Sequence, residues 1–162
     1  MSILKSNSSK SVFLVLFFLI SAPLTAAEGD FGAGFILGDP TGLAAKYFIS
    51  GSDAFDCGIG ASSHNGFYFY GDYLRHIPDL FTLDELAFYI GAGAGFQHHD
   101  DNNDKHHDRD EYNSLDIRVP VGLEYTVEKA PLGFFIEVVP ALQITPDIDS
   151  DIRGGLGVRY YF

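Results

Sequence analysis

Leu156-Gly157-Val158-Arg159-Tyr160-Tyr161-Phe162 alternates apolar Leu156, Val158, Tyr160 and Phe162 with Gly157, Arg159 and Tyr161. Successive side chains of a strand point to opposite faces, so this stretch carries one greasy face and one face with a charge on it. The same period-two pattern recurs upstream in seven more runs, at 31–37, 43–49, 54–61, 67–74, 87–97, 114–126 and 134–142, with 152–162 as the eighth. Gly, Pro, Asp, Asn and Ser punctuate the gaps, as in Gly38-Asp39-Pro40-Thr41-Gly42 and Ser62-Ser63-His64-Asn65-Gly66. No segment shows a helical stripe, and Thr82 to Ala87 offers one helical turn at most. The fold class is all-β.

The sixth run separates the faces most clearly. Leu115, Ile117, Val119, Val121, Leu123 and Tyr125 fall on one side, and Asp116, Arg118, Pro120, Gly122 and Glu124 on the other. Carried around the chain, this phase groups Lys46, Asp56, Asp72, Asp116, Arg118, Glu124, Glu137, Arg153 and Arg159 on the second face, interspersed with glycines such as Gly34, Gly58, Gly60, Gly93 and Gly95. Four positive charges against five negative ones can pair across a narrow lumen. The expected architecture is an eight-stranded antiparallel transmembrane β-barrel with lipid outside and a charge network plugging its interior. Aromatic residues at run ends (Phe31, Tyr47, Phe67, Tyr73, Phe88, Phe96, Tyr125, Phe134, Tyr160, Phe162) fit interfacial girdles. A soluble barrel of the lipocalin kind would invert the two faces, and period alone does not separate the alternatives. Pro120 and Pro140 interrupt predicted strands, where each forfeits a ladder hydrogen bond, and bulges are expected there. The terminal aromatic, with another two residues before it, resembles the signal by which the barrel-insertion machinery recognises an outer-membrane strand.

Lys5 and Lys10, the apolar run Val12 to Ile20 and the small residues up to Ala27 fit a secretory signal peptide. Cleavage after Ala27 divides the chain into a leader, 1–27, and one barrel domain, 28–162, in the outer membrane of a diderm bacterium. The apolar run is shorter than the roughly 20 residues a spanning helix needs. Losing both lysines moves the net charge from −12 to about −14, which argues against nucleic acid, whose phosphates need a basic surface. One cysteine, Cys57, forms no internal disulfide and sits on the apolar face as a small hydrophobe. With both termini periplasmic, the first, third, fifth and seventh connections face outward, and the longest, 97–113, is the fifth.

Gly32-Ala33-Gly34-Phe35-Ile36-Leu37-Gly38-Asp39-Pro40-Thr41-Gly42-Leu43, with Arg118 to Tyr125, Glu137 to Pro140 and Gly155 to Phe162, resembles an uncharacterised family of small bacterial outer-membrane barrels. That family shares a G-x-G-x-I-L-G-x-P-T-G-L opening, and the resemblance spans nearly all of 28–162. It implies a single eight-stranded barrel of the general OmpA and OmpX type, and it implies no reaction.

The strongest chemical feature is the loop His98-His99-Asp100-Asp101-Asn102-Asn103-Asp104-Lys105-His106-His107-Asp108-Arg109-Asp110-Glu111. His98, His99, His106 and His107 flank it in pairs, a donor set suited to zinc, copper or nickel if the loop folds back. The bland reading is a solvated polar loop. A third reading is pH-dependent adhesion, because acidification toward about pH 5–6 would cancel the loop's negative charge. Ser62-x-His64 invites a lipid-deacylase reading, but a Ser-His pair needs a third group to orient the imidazole and no acid is evident nearby. Asp39 to Gly42 reads as a β-turn. Lys46, Arg118, Arg153 and Arg159 could line an ion path, although eight strands close too tightly for bulk flow. The expectation is a monomeric barrel with no catalytic site and no resident cofactor, a structural or surface-binding protein acting through acidic, His-rich loops. Its partners would be outer-membrane lipid and an external protein ligand. The alternatives are a narrow porin-like conduit and a lipid-modifying enzyme.

Overall fold

A computed structural model describes residues 30–63, 66–78, 80–99 and 113–162. The expected leader at 1–27, His64, His106 and His107 lie outside the described residues, and of His99 only the backbone is described. Nine strands form one antiparallel sheet: β1 (Phe31–Asp39), β2 (Thr41–Phe48), β3 (Asp53–Ser62), β4 (Gly66–Ile77), β5 (Leu86–His99), β6 (Asn113–Arg118), β7 (Val121–Thr126), β8 (Leu132–Thr145) and β9 (Asp149–Tyr161). Strands β1 to β6 pair in sequence order, β8 pairs with β9, and β1 pairs with β9 from Gly32↔Tyr161 to Asp39↔Gly154. The sheet closes on itself and leaves no free edge.

Strands β6 and β7 are the two halves of the predicted sixth run. Both pair with β5 on one side and β8 on the other. Registers Arg118↔Ala141 and Val121↔Val138 belong to one continuous ladder, so Val119 and Pro120 open a gap without shifting it. Val119 N–H still donates to Pro140 O at 2.9 Å and Gly91 N–H to Pro120 O at 2.8 Å. Proline has no N–H, so the two return bonds are missing and the ladder thins there. The bulges expected at Pro120 and Pro140 are therefore corrected: β8 runs through Pro140, and the register shift lies between Leu115 and Asp116, opposite Thr145 and Gln143. Geometrically the barrel has eight strands.

Which face lies inside is settled by exposure. Lys46, Asp56, Arg118 and Arg159 are at most 2% exposed, whereas Phe35, Leu115 and Leu156 are 62%, 43% and 56% exposed. The lipocalin-like inversion is excluded. Among the described residues, apolar packing inside includes two small clusters, Ile36 with Ala44 and Phe135, and Phe48 with Ala54 and Tyr161.

Strands are longer than the sequence suggests. β4 continues to Ile77 and β8 to Thr145, and β9 begins at Asp149. The first turn is tighter than an Asp39-to-Gly42 turn, because β2 already starts at Thr41, whose hydroxyl accepts from Gly38 N–H and donates to Gly38 O. Gly38 has φ 141°, and a Cβ there would run into the backbone oxygen of Gly154, so the position requires glycine.

Candidate functional site

The lumen holds the predicted charge set, all nine members buried. Near the end of the barrel away from the termini, Arg153 Nη1 donates to Asp116 at 3.0 Å, its Nε to Asp151 at 3.0 Å and its Nη2 to Gln97 at 3.3 Å. Tyr68 donates its hydroxyl to the same Asp116 at 2.8 Å, and its ring lies 4.2 Å from the Arg153 guanidinium. At mid-height Arg118 Nε stands 3.0 Å from Asp72, with Glu137 at 3.8 Å and the face of Tyr70 at 3.9 Å. Tyr89 donates to Glu137 at 3.0 Å.

Toward the termini, Arg159 Nη2 donates to both oxygens of Asp56 at 2.9 Å and stacks 3.7 Å over Phe135. Glu124 is the hub of this layer. Lys46 Nζ donates to it at 2.5 Å, the Tyr161 hydroxyl donates to its other oxygen, Arg159 stands at 3.8 Å and His76 Nε2 at 3.6 Å. His76 has its Nδ1 3.3 Å from Ser52 O and its Nε2 3.2 Å from Lys46. A proton on Nδ1 satisfies both contacts, since the carbonyl accepts and Nε2 is left to accept from the ammonium.

Glycines make room for this filling. A Cβ at Gly58 would strike Tyr70, one at Gly95 the Tyr68 hydroxyl, and one at Gly122 Tyr89. Gly58↔Tyr70 and Gly122↔Tyr89 are direct cross-strand pairs, so each ring lies across the bare backbone of the next strand. Sequence reasoning ranked residues by charge and overlooked Tyr68, Tyr70, Tyr89, Tyr161 and Gln97, although their phase matches that of Asp72 and Arg159. His76 lies beyond the fourth run of the sequence pattern, which ends at Leu74, whereas β4 continues to Ile77.

At the rim away from the termini, His98 Nδ1 lies 2.8 Å from Asn113 Oδ1, a cross-strand pair at the top of β5 and β6. Among the described residues no group of three or more His, Cys, Asp or Glu is arranged to hold a metal. Ser62 and Ser63 do have an acid beside them: Asp39 of the first turn accepts from the Ser63 N–H and hydroxyl, and the Ser62 hydroxyl also reaches it. Burial raises the Asp39 carboxyl, but the Ser63 and Ser62 hydrogen bonds and the Arg153 charge outweigh it and hold the group below its usual value. Cys57 is exposed on the outer face between Ala45 and Gly71.

A closed ring with an apolar exterior and an ion-paired interior is the geometry of transmembrane barrels, and the comparisons agree. The model of one family matches residues 24–160. The chain belongs to DUF3996, a family of proteins of unknown function. Among solved structures, the DUF3996 chain is similar to the N-terminal β-barrel domain of Pseudomonas aeruginosa OprF, with a TM-score of 0.65, 17% identity, and coverage of 84% of this chain and 98% of that one. It is also similar to a de novo designed transmembrane β-barrel, with a TM-score of 0.55, 15% identity, and coverage of 85% and 99%. No curated protein matches it. At these identities the likeness shows the fold, a membrane β-barrel.

Proposed function

We propose that this DUF3996 barrel resides in the outer membrane as a closed platform with no catalytic role, a structural or surface-binding protein that works through the loops at the rim away from its termini. The observation that supports this most is the filled lumen. Arg153, Arg118 and Arg159 stand at successive levels of the barrel, each between a carboxylate and a ring face. With the interior committed to packing, recognition falls to the acidic rim: Asp39, Asp147, Asp149 and Asp151 together with the His98 to Glu111 sequence. In this reading the termini face the periplasm, the barrel is a monomer, lipid covers the exposed apolar belt, and the last strand is what the insertion machinery engages. An external protein ligand meets the loops.

Planar-bilayer recording of the refolded barrel tests the platform against a narrow conduit. No steady conductance is expected, and a sustained single-channel current from the wild type would replace this reading. On intact cells, added protease should clip only between Gln97 and Asn113. Zinc titration with and without alanine at His98, His99, His106 and His107 decides whether the loop takes a metal. A lipid-modifying enzyme is the second reading, favoured by Asp39 beside Ser62 and Ser63. In a Ser-His system, however, the acid orients the imidazole, whereas Asp39 spends its hydrogen bonds on the serines. Ser62→Ala should leave the lipid profile of the cell unchanged.

A further inference from the structure

At the barrel end that carries the termini, a cavity of about 650 Å³ opens above the Glu124 hub. Its floor is formed by Phe48, His76 and Glu124, and Asp84, Glu85 and Glu128 stand among its walls. The volume falls within the range of small-molecule sites, and most such sites are apolar with a few placed polar groups. We propose that this cavity binds a small organic cation with an apolar body, of the arylalkylamine class.

The floor suits the apolar part. Phe48 and His76 line it with ring centroids 5.1 Å apart and planes tilted by 42°, giving an aromatic wall for a hydrocarbon group. The charge suits the cationic part. Lys46, beneath the floor, is neutralised by Glu124 at 2.5 Å, which leaves Lys129 as the lining base against Asp84, Glu85 and Glu128.

The geometry of two of these acids goes further. Glu85 precedes β5 and Glu128 lies in the turn between β7 and β8, and Thr126 N–H donates to Glu85 O at 2.8 Å, locking the two segments together. Their carboxyl groups are hydrogen-bonded to each other. Two carboxylates this close repel each other, and a cation beside them relieves that repulsion. Here Glu128 holds its proton above the usual range, through the hydrogen bond to Glu85 and that group's negative charge. Glu85 is held below its usual value, first by its own backbone N–H and then by Glu128. An ammonium group entering the mouth sits against both carboxyl groups and offsets their negative charge. A bare metal ion would make no use of the aromatic floor, and the acids of the mouth repel anions.

This inference goes beyond the platform reading and fails separately from it, because binding is read on the purified full-length barrel in zwitterionic micelles. The probe is phenethylammonium, with 2-phenylethanol as its uncharged counterpart. Saturable NMR shifts confined to Phe48, His76, Ala87 and Thr126 are expected with the ammonium and not with the alcohol. Glu85→Gln with Glu128→Gln, at a half-buried and an exposed position outside the strands, should weaken the ammonium at least about tenfold. The inference is overturned by no saturable shift up to about 20 mM, by an equal response to the alcohol, or by unchanged binding in the double variant.

Discussion

Glu124 shows how much one residue carries in this barrel. It is 3% exposed and faces Lys46, Arg159, His76 and the Tyr161 hydroxyl at once. Removing one partner of a buried pair leaves the other uncompensated in a dry interior, so Glu124→Gln should destabilise the barrel by about 3–5 kcal/mol in urea unfolding from liposomes. By contrast Asp53→Asn, which faces the 60%-exposed side chain of Arg75, should produce no measurable change in the same assay. Asp39 provides a pH signature. Its folded-state carboxyl titrates below the usual carboxylate range, so its contribution is complete above that range and is lost as the pH falls through the lower, folded value. Ser63→Ala should move the Asp39 titration upward, read by carboxyl NMR. In the sequence the nine lumen charges were legible from phase alone, because charge in a period-two pattern marks a face. The Asp39 contact was not, since Ser63 lies 24 positions away and only the side-by-side packing of β1, β2 and β3 brings them together.

Among the elements, β1 is the most constrained. It is paired on both sides, and a Cβ on Gly34 would meet the backbone of Val158 and Arg159, which has no flexible end to move aside. Gly34→Ala should therefore cost several kcal/mol, on the order of 3 or more, or prevent folding. Gly51→Ala, where nothing lies within 4 Å, should leave the unfolding midpoint where it is. The strands themselves were readable to within a few residues at most ends, because alternation is a local property of the pleat. Their extensions were not. β8 and β9 continue through Gln143↔Asp149, in a stretch whose Pro146, Asp147 and Asp149 look like a loop, since pairing with a neighbour outweighs weak local propensity. The proline bulges were misplaced for a related reason: a missing N–H removes one bond, and whether the register then slips depends on the partner strand.

For the molecule as a whole, closure makes the loops separable from the barrel. β5 and β6 are paired up to His98↔Asn113, so nothing beyond that pair is needed to complete the ring. Replacing residues 100–111 with a short Gly-Ser turn should leave the urea midpoint unchanged or slightly higher, since shortening a loop lowers its closure entropy. In the intact protein the same segment should be the first site of protease attack.

By itself the sequence determined the two faces of every strand, the number of strands and the list of charges that share one face. Those follow from the pleat, which any eight or nine consecutive residues can express. Only the tertiary structure decided that Lys46 meets Glu124 across 78 positions and Arg159 meets Asp56 across 103, and that two glutamates from separate turns share a cavity. The physical reason is that these contacts depend on the ring closing with one particular stagger between strands, and no local pattern encodes that stagger.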